Sequence, residues 1–128
     1  MQDKVYVMNT GALAYIGDSV YEVYIRKHTI GKGNIHGDVL HKRSVRYVNA
    51  SSQCKVIKLL LDSLSEKEQS LVKRARNKKV STKPRNVDIS TYKWATAFEA
   101  LLGYYFLSEQ YDELDQIIEK AISIIEEK

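Results

Sequence analysis

Two acids stand where a charge is badly accommodated. Asp18 lies in Leu13-Ala14-Tyr15-Ile16-Gly17-Asp18-Ser19-Val20, directly after a glycine. A glycine inside a helix costs about 1 kcal/mol relative to alanine, so its presence there signals close approach by another helix or by a ligand. Glu99 lies in Ala95-Thr96-Ala97-Phe98-Glu99-Ala100-Leu101-Leu102-Gly103, the most apolar stretch of the chain. A carboxylate among apolar neighbours is expensive to bury unless it is hydrogen-bonded, paired or metal-bound. The ordinary reading of each acid is a hydrogen bond to a neighbouring helix, or a place on an exposed stripe. The chemical reading is that two packed helices bring both carboxylates to one hard cation, since carboxylate and water are the ligands Mg²⁺ prefers. Glu22, four residues after Asp18, shares its helix face and equally suits pairing with an arginine. Other chemistries are excluded or weak. The single cysteine, Cys54, rules out internal disulfides and a cysteine-based zinc site. His28, His36 and His41 lack zinc-binding spacing.

Charge is segregated along the chain. Residues 1–108 hold eighteen Lys and Arg against nine acids, whereas residues 109–128 hold seven acids against two lysines. The segment Lys73 to Asn86 reads KRARNKKVSTKPRN, with seven basic residues and no acid. Such a run is either a solvated loop or a phosphate-binding surface, because clustered Lys and Arg release counterions from a nucleic-acid backbone. No aromatic residue interleaves the basic ones. That speaks against base stacking on single strands and favours backbone contacts to a duplex.

The elements that must position these groups read as helices throughout. Asn9 or Thr10 caps a first helix with Leu13, Ile16, Val20 and Val23 on one face, ending at Gly31 to Gly33. Asp38 is a plausible cap for a second helix, and Ser51 or Ser52 restarts or continues it through Val56, Ile57 and Leu60. Ser65 with Glu68 forms a capping box. Pro84 breaks the basic segment. Ser90 or Thr91 opens a helix running through Trp94, Phe98, Leu102 and Phe106, and a last helix starts near Asp112. No stretch alternates with period two. The expectation is an all-α fold of five to seven helices in one domain spanning residues 1–128, a length that carries a core without disulfides. No apolar run reaches the eighteen or so residues of a membrane span, and the first residues lack a signal-peptide pattern, so a cytoplasmic, non-membrane protein is expected.

The same two stretches carry a family resemblance. Leu13 to Glu22 resembles the signature helix of the ribonuclease III family, in which a Leu-Gly-Asp-Ala/Ser segment supplies a metal-binding aspartate. Phe98 to Gly103 resembles the family's second catalytic segment, in which a glutamate precedes Ala-Leu, and His41 to Gln53 resembles the helix between them. The segments Lys73 to Asn77, Thr82 to Asn86, Thr91-Tyr92 and Ala97 to Tyr104 are similar to the Mini-III subgroup, bacterial forms made of the catalytic domain alone, without a double-stranded-RNA-binding domain. The resemblance covers nearly the whole chain. It implies the ribonuclease III endonuclease-domain fold and a homodimer whose two sites line a groove for double-stranded RNA. It also implies Mg²⁺-dependent hydrolysis, with Mn²⁺ as a possible substitute, leaving 5′-phosphate and 3′-hydroxyl ends. Asp18 and Glu99 take the catalytic and metal-binding roles. Lys73, Arg74, Arg76, Lys78, Lys79, Lys83 and Arg85 take the RNA-gripping role. For this subgroup the implied substrate is the 23S ribosomal RNA precursor, with a large-subunit ribosomal protein as a possible further partner.

The chain also departs from the longer members of the family. They carry acids seven and four residues before the aspartate and three before the glutamate, where this chain has Gly11, Ala14 and Thr96. Two protein carboxylates remain, and water fills the rest of the ion's shell. Nothing else in the chain resembles a general base, so water is the expected nucleophile, with no covalent intermediate. An alternative is a non-catalytic helical protein of this fold that binds structured RNA, but a pure binder has no use for acids that face phosphates. A DNA-binding regulator would need a helix-turn-helix signal, which the sequence does not show. The helix bearing Tyr15, Tyr21 and Tyr24 has more aromatic surface than one small core needs, and part of it is expected at the twofold interface.

Overall fold

The computed structural model describes residues 2–33 and 36–127, with only the backbone of Gln2, so the two ends of the expected domain lie outside the described residues. Those residues form seven α-helices and no strand. They are α1 (Gln2–Tyr6), α2 (Thr10–Gly31), α3 (Gly37–Val48), α4 (Ala50–Leu60), α5 (Glu66–Asn77), α6 (Ile89–Leu107) and α7 (Tyr111–Glu126), with a 3₁₀ turn, Leu61–Ser63, after α4.

Helix α6 is the axis of the fold. Its sequence has one acid, Glu99, and one lysine, Lys93. Ala97, Phe98, Ala100, Leu101 and Leu102 are fully buried, and α1, α2, α4, α5 and α7 all pack against it. A helix apolar on every side has no stable place except the middle of a core.

The helix ends follow from local side-chain chemistry. Asn9 starts α2, its Oδ1 accepting from the Gly11 and Ala12 amides at 2.7 and 3.3 Å. The Ser65–Glu68 capping box is closed in both directions. Three starts differ from expectation. The break between α3 and α4 falls at Asn49, not at Ser51 or Ser52. Asn49 Nδ2 donates to the Val45 carbonyl at 2.9 Å while its Oδ1 accepts from the Ser52 amide at 2.9 Å. One amide group with both a donor and an acceptor thus ends one helix and starts the next, which a serine hydroxyl does less well. Asp88, not Ser90 or Thr91, caps α6, with its carboxylate accepting from the Thr91 amide and hydroxyl. Helix α3 begins at Gly37, which places Asp38 in its first turn and not at its cap.

Two acids of the C-terminal segment, Glu126 and Asp115, have partners inside the protein. Glu126 Oε2 accepts from Lys32 Nζ at 2.7 Å and from the Tyr47 hydroxyl at 2.6 Å, and lies 2.8 Å from His28 Nε2. Asp115 accepts from the Tyr24 hydroxyl. Helix α7 is in this way fastened to α2 and α3 by its own acids. The expectation for the α2 tyrosines is corrected in part. Tyr21 belongs to the core, edge-on to Phe98 at 5.2 Å between ring centroids, and its hydroxyl donates to the Tyr47 carbonyl. Tyr24 faces α7. Only Tyr15 stands out into solvent, 81% exposed. No helix of the described residues is long and apolar enough to cross a membrane.

Candidate active site

The site is made by two glycines. A Cβ placed on Gly17 would lie 1.8 Å from the Glu99 carbonyl oxygen, and a Cβ on Gly103 would lie 1.9 Å from the Leu13 carbonyl oxygen. Helices α2 and α6 are thus notched into each other backbone to backbone, each glycine receiving a carbonyl of the opposite helix. The close approach signalled by Gly17 is that of another helix. Because Asp18 follows Gly17 and Glu99 supplies the carbonyl in its notch, the crossing brings the two acids together.

Their environments differ. Asp18 is exposed, whereas Glu99 is half-buried with its carboxyl turned inward. The Glu99 carboxyl lies near the Asp18 carboxyl and the Gln53 amide group. Burial first, then the hydrogen bond and negative charge of Asp18, push its pKa up to about 9; the Gln53 amide opposes this, and the more distant charge of Glu22 adds to it. A carboxyl buried beside a negative charge is disfavoured in its ionised form, so without a cation Glu99 holds its proton at neutral pH. Glu22 serves as the arginine's partner, its Oε2 accepting from Arg26 Nε at 3.1 Å. Among the described residues no cluster of three or more His, Cys, Asp or Glu gathers to hold a metal.

The positions where longer enzymes carry acids are occupied in other ways. Ala14 is buried in the core. Thr96 Oγ1 donates to the Tyr92 carbonyl of its own helix at 2.9 Å. Gly11 lies beside Lys78, whose Nζ would be 2.7 Å from a Cβ there and which donates to Asn9 Oδ1 at 2.9 Å. A lysine of the basic segment therefore sits at the start of the helix that carries Asp18.

The seven basic residues divide into two groups. Lys73, Arg74 and Arg76 belong to the last turns of α5, and Lys78, Lys79, Lys83 and Arg85 to the irregular segment 78–88. Arg74 donates to the Tyr6 carbonyl, and its guanidinium carbon lies 5.1 Å from the Tyr6 ring centroid, so it ties α5 to α1. Arg76 is half-buried, its guanidinium carbon 4.8 Å from the Trp94 ring centroid. Lys73, Lys79 and Arg85 are exposed and make no hydrogen bond or ion pair among the described residues.

Sequence reasoning missed Gln53. It lies on the same face of α4 as Val56, Ile57 and Leu60 and is 2% exposed. An amide on the apolar face of a helix is the signal that would have found it.

The profile of the Ribonuclease III domain matches residues 11–110, which include both carboxylates and the glycine crossing. The chain belongs to the ribonuclease III family. Within that family it is similar to proteins named Mini-ribonuclease 3. One from Thermoanaerobacter sp. is 44% identical over 90% of this chain and 81% of that protein. One from Brevibacillus brevis is 42% identical over 92% and 88%, and one from Streptococcus pneumoniae is 40% identical over 94% and 95%. The fold is also that of a Fusobacterium nucleatum protein of known crystal structure, with a TM-score of 0.84 and 32% identity over 91% of this chain and 93% of that one.

Proposed function

We propose that this chain is an endoribonuclease that cleaves double-stranded RNA, with Asp18 and Glu99 as the ligands of a catalytic Mg²⁺ or Mn²⁺ ion. The observation that carries the reading is the glycine crossing, which brings an exposed and an inward-turned carboxyl together inside a ribonuclease III domain. The donor set fits a hard divalent ion: two neighbouring carboxyl groups, one of them open to the water that completes such an ion's shell. When bound, such an ion lowers the pKa of water and offsets charge on the phosphate oxygens.

The chain's own residues do the rest. Asp18, in solvent, is the accessible ligand. Glu99 must give up a proton to become one, so at neutral pH its burial and its neighbour Asp18 set proton and cation in competition, and binding releases a proton. With two carboxylates in place of a larger set of acids, the ion is held weakly, and a millimolar requirement for Mg²⁺ follows from the low ligand charge. Lys73, Lys79, Lys83 and Arg85 offer exposed charge to the phosphates, Lys78 adds one more at the start of α2, and Arg74 and Arg76 of α5 brace the surface against α1 and α6. Phosphodiester hydrolysis then leaves a 5′-phosphate and a 3′-hydroxyl.

Two active sites are needed to cut both strands of a duplex, and a homodimer supplies them. Tyr15, Val23 and Ile30 of α2 and Val45 of α3 are apolar, exposed and available for that contact. We place the whole chain in the cytoplasm as one catalytic domain acting on the 23S ribosomal RNA precursor, presented with or without a large-subunit ribosomal protein.

Asp18→Asn and Glu99→Gln test the reading. Each should abolish cleavage of duplex RNA in Mg²⁺ while gel shifts show binding kept, and strengthened in Asp18→Asn, where a negative charge facing phosphate is lost. Cleavage by either variant at the wild-type rate would overturn the assignment.

A further inference from the structure

Of the basic residues between 73 and 86, Lys78 is the one whose side chain bonds to the start of α2. Its Nζ donates to Asn9 Oδ1 at 2.9 Å. It also stands where a side chain on Gly11 would begin, 2.7 Å from a Cβ placed there. Gly11 and Asp18 are seven residues apart. Seven residues fall about 20° short of two full helical turns, so the two positions point their side chains from one face of α2. The ammonium and the Asp18 carboxylate therefore occupy the same stripe, about 10 Å apart along the helix axis. No acid of α2 precedes Asp18, so the helix between the two groups carries no charge that repels a phosphate.

The ammonium is available. Lys78 is exposed and pairs with no acid among the described residues. An ammonium has three donors, and Asn9 takes one of them. That bond competes poorly with a phosphate. Asn9 Oδ1 also accepts from the Gly11 and Ala12 amides, which makes three donors on an oxygen with two lone pairs. The backbone beneath the side chain is fixed. Lys78 is the C-cap of α5, and its amide donates to the carbonyl of the buried Ala75 at 3.3 Å. Thr10, Arg74, Asn77 and Lys78 share the rim of a shallow, open depression. Lys79, Lys83 and Arg85 belong instead to the irregular segment beyond it.

We propose that Lys78 is a substrate-positioning residue, whose ammonium holds one particular phosphate of the duplex and so sets the phosphate to be cut against Asp18. A strand of B-form geometry places one phosphate per about 3.4 Å of axis, so 10 Å spans at most about three phosphate steps. The proposal rests on Asp18 holding the catalytic ion. It gives Lys78 a duty that its basic neighbours lack. Their contacts add affinity in any register of the duplex, whereas a contact at fixed distance from the ion aligns the reacting group and adds to rate.

The test uses the full-length protein and short RNA duplexes of one sequence whose cut has been mapped. In each duplex one phosphate near the cut, on either strand but not the cut phosphate itself, is replaced by a neutral methylphosphonate. Single-turnover cleavage is measured at saturating protein and Mg²⁺, so that weaker binding does not register. One replacement within about three steps of the cut should slow the wild type by about 10- to 100-fold, the worth of a hydrogen bond to a charged group. Lys78→Met keeps the stem and loses the charge. It should cut the unmodified duplex more slowly by that same factor, and the modified duplex no more slowly than the unmodified one. Such non-additivity marks a direct contact. Lys78→Arg should restore both the rate and the sensitivity. A merely structural role would lower the melting temperature of Lys78→Met and leave the two losses additive. A Met variant that stays fully sensitive at every phosphate overturns the proposal. So does a wild type indifferent to every replacement within three steps, a result that stands even where the Met variant does not fold. Failure of the wild type to cut any duplex overturns the endonuclease reading as well, whereas cleavage without the coupling overturns only the role of Lys78.

Discussion

Gly17→Ala adds one methyl group at the tightest point of the molecule. The new Cβ would stand 1.8 Å from the Glu99 carbonyl oxygen, 2.7 Å from its carbonyl carbon and 2.9 Å from the Gly103 amide nitrogen. Ordinary contact begins at 3.4 Å, so α2 and α6 must separate locally by roughly 1.6 Å. The obstacle is backbone in the middle of a helix and cannot rotate aside as a side chain would. Two effects oppose each other in stability. Alanine gains about 1 kcal/mol over glycine in a helix interior, while overpacking a close-packed interior costs about 1–3 kcal/mol. With an immovable obstacle the cost lies at the upper end, for a net loss of about 1–2 kcal/mol and a fall of about 4–8 °C in melting temperature. Catalysis suffers more, because the residue after Gly17 and the residue whose carbonyl is struck are the two carboxylates. A displacement of about 1 Å costs about a hundredfold in rate, so the variant should cleave duplex RNA at least that much more slowly at saturating Mg²⁺. Gly31→Ala is the control. Nothing lies within 4 Å of a Cβ there, and both rate and melting temperature should hold. A Gly17→Ala protein that melts higher than wild type and cleaves within about threefold of its rate would refute the argument that this notch sets the site.

Glu99→Gln should melt higher than wild type in a chelator, by a margin that widens with pH. The folded pKa of about 9 lies above the ordinary carboxyl value of 4.5. Between those values the unfolded chain sheds a proton that the folded chain keeps, and wild-type stability falls as pH rises from about 5 to 9; equal slopes in the two proteins would refute this. Glu126 works in the opposite sense. Hydrogen bonds from Lys32, then Tyr47 and His28, lower its pKa to about 2. Its stabilisation is present above about pH 4.5 and is lost as pH falls toward 2, so Glu126→Gln should unfold at lower temperature at pH 7 and differ little from wild type near pH 2. Replacing Lys79, Lys83 and Arg85 with alanine should weaken binding to all duplexes alike and flatten the log–log salt dependence by about 0.9 per lost contact on the B-DNA calibration, with melting unchanged. Arg74→Ala, which cuts the tie to Tyr6, should instead lower the melting temperature. An unchanged slope in the triple variant would make the segment a solvated loop.

What the sequence revealed of the site, it revealed through cost. A glycine inside a helical pattern and a glutamate inside an apolar one are both unfavourable locally, and the structure brings the two together at one helix crossing, where the glycine's cost is offset by close packing and the glutamate's shows as a raised pKa. The helical content was legible from the 3.6-residue spacing of apolar positions, and the capping box from Ser65 and Glu68 alone. The start of α4 at Asn49 was not, because Val48 and the apolar residues beyond it continue one pattern while the break depends on a side chain bonding in two directions. Tyr21 illustrates a second limit. Amphipathic spacing shows that an aromatic is needed but not whether the surface that covers it is Phe98 of this chain or another subunit. The internal duties of Arg74 and Lys78 were hidden for a related reason. Charge density announces a surface for phosphate, whereas the carbonyls of Tyr6 and Met8 and the amide of Asn9 that some of those charges also serve come from a distant part of the chain.

Trp94 is the only tryptophan in the chain. Its indole receives Arg76 from α5 and also Lys58 from α4, whose Nζ lies 5.6 Å from the ring centroid. The protein therefore has a built-in optical reporter where the basic segment joins the body of the fold. Indole emission responds to nearby positive charge, so an RNA phosphate that draws Arg76 away changes its colour and intensity without any attached dye. Docking of the duplex can be timed on this signal in the Asp18→Asn protein, which is expected to bind without cutting, apart from the cut that follows in the wild type.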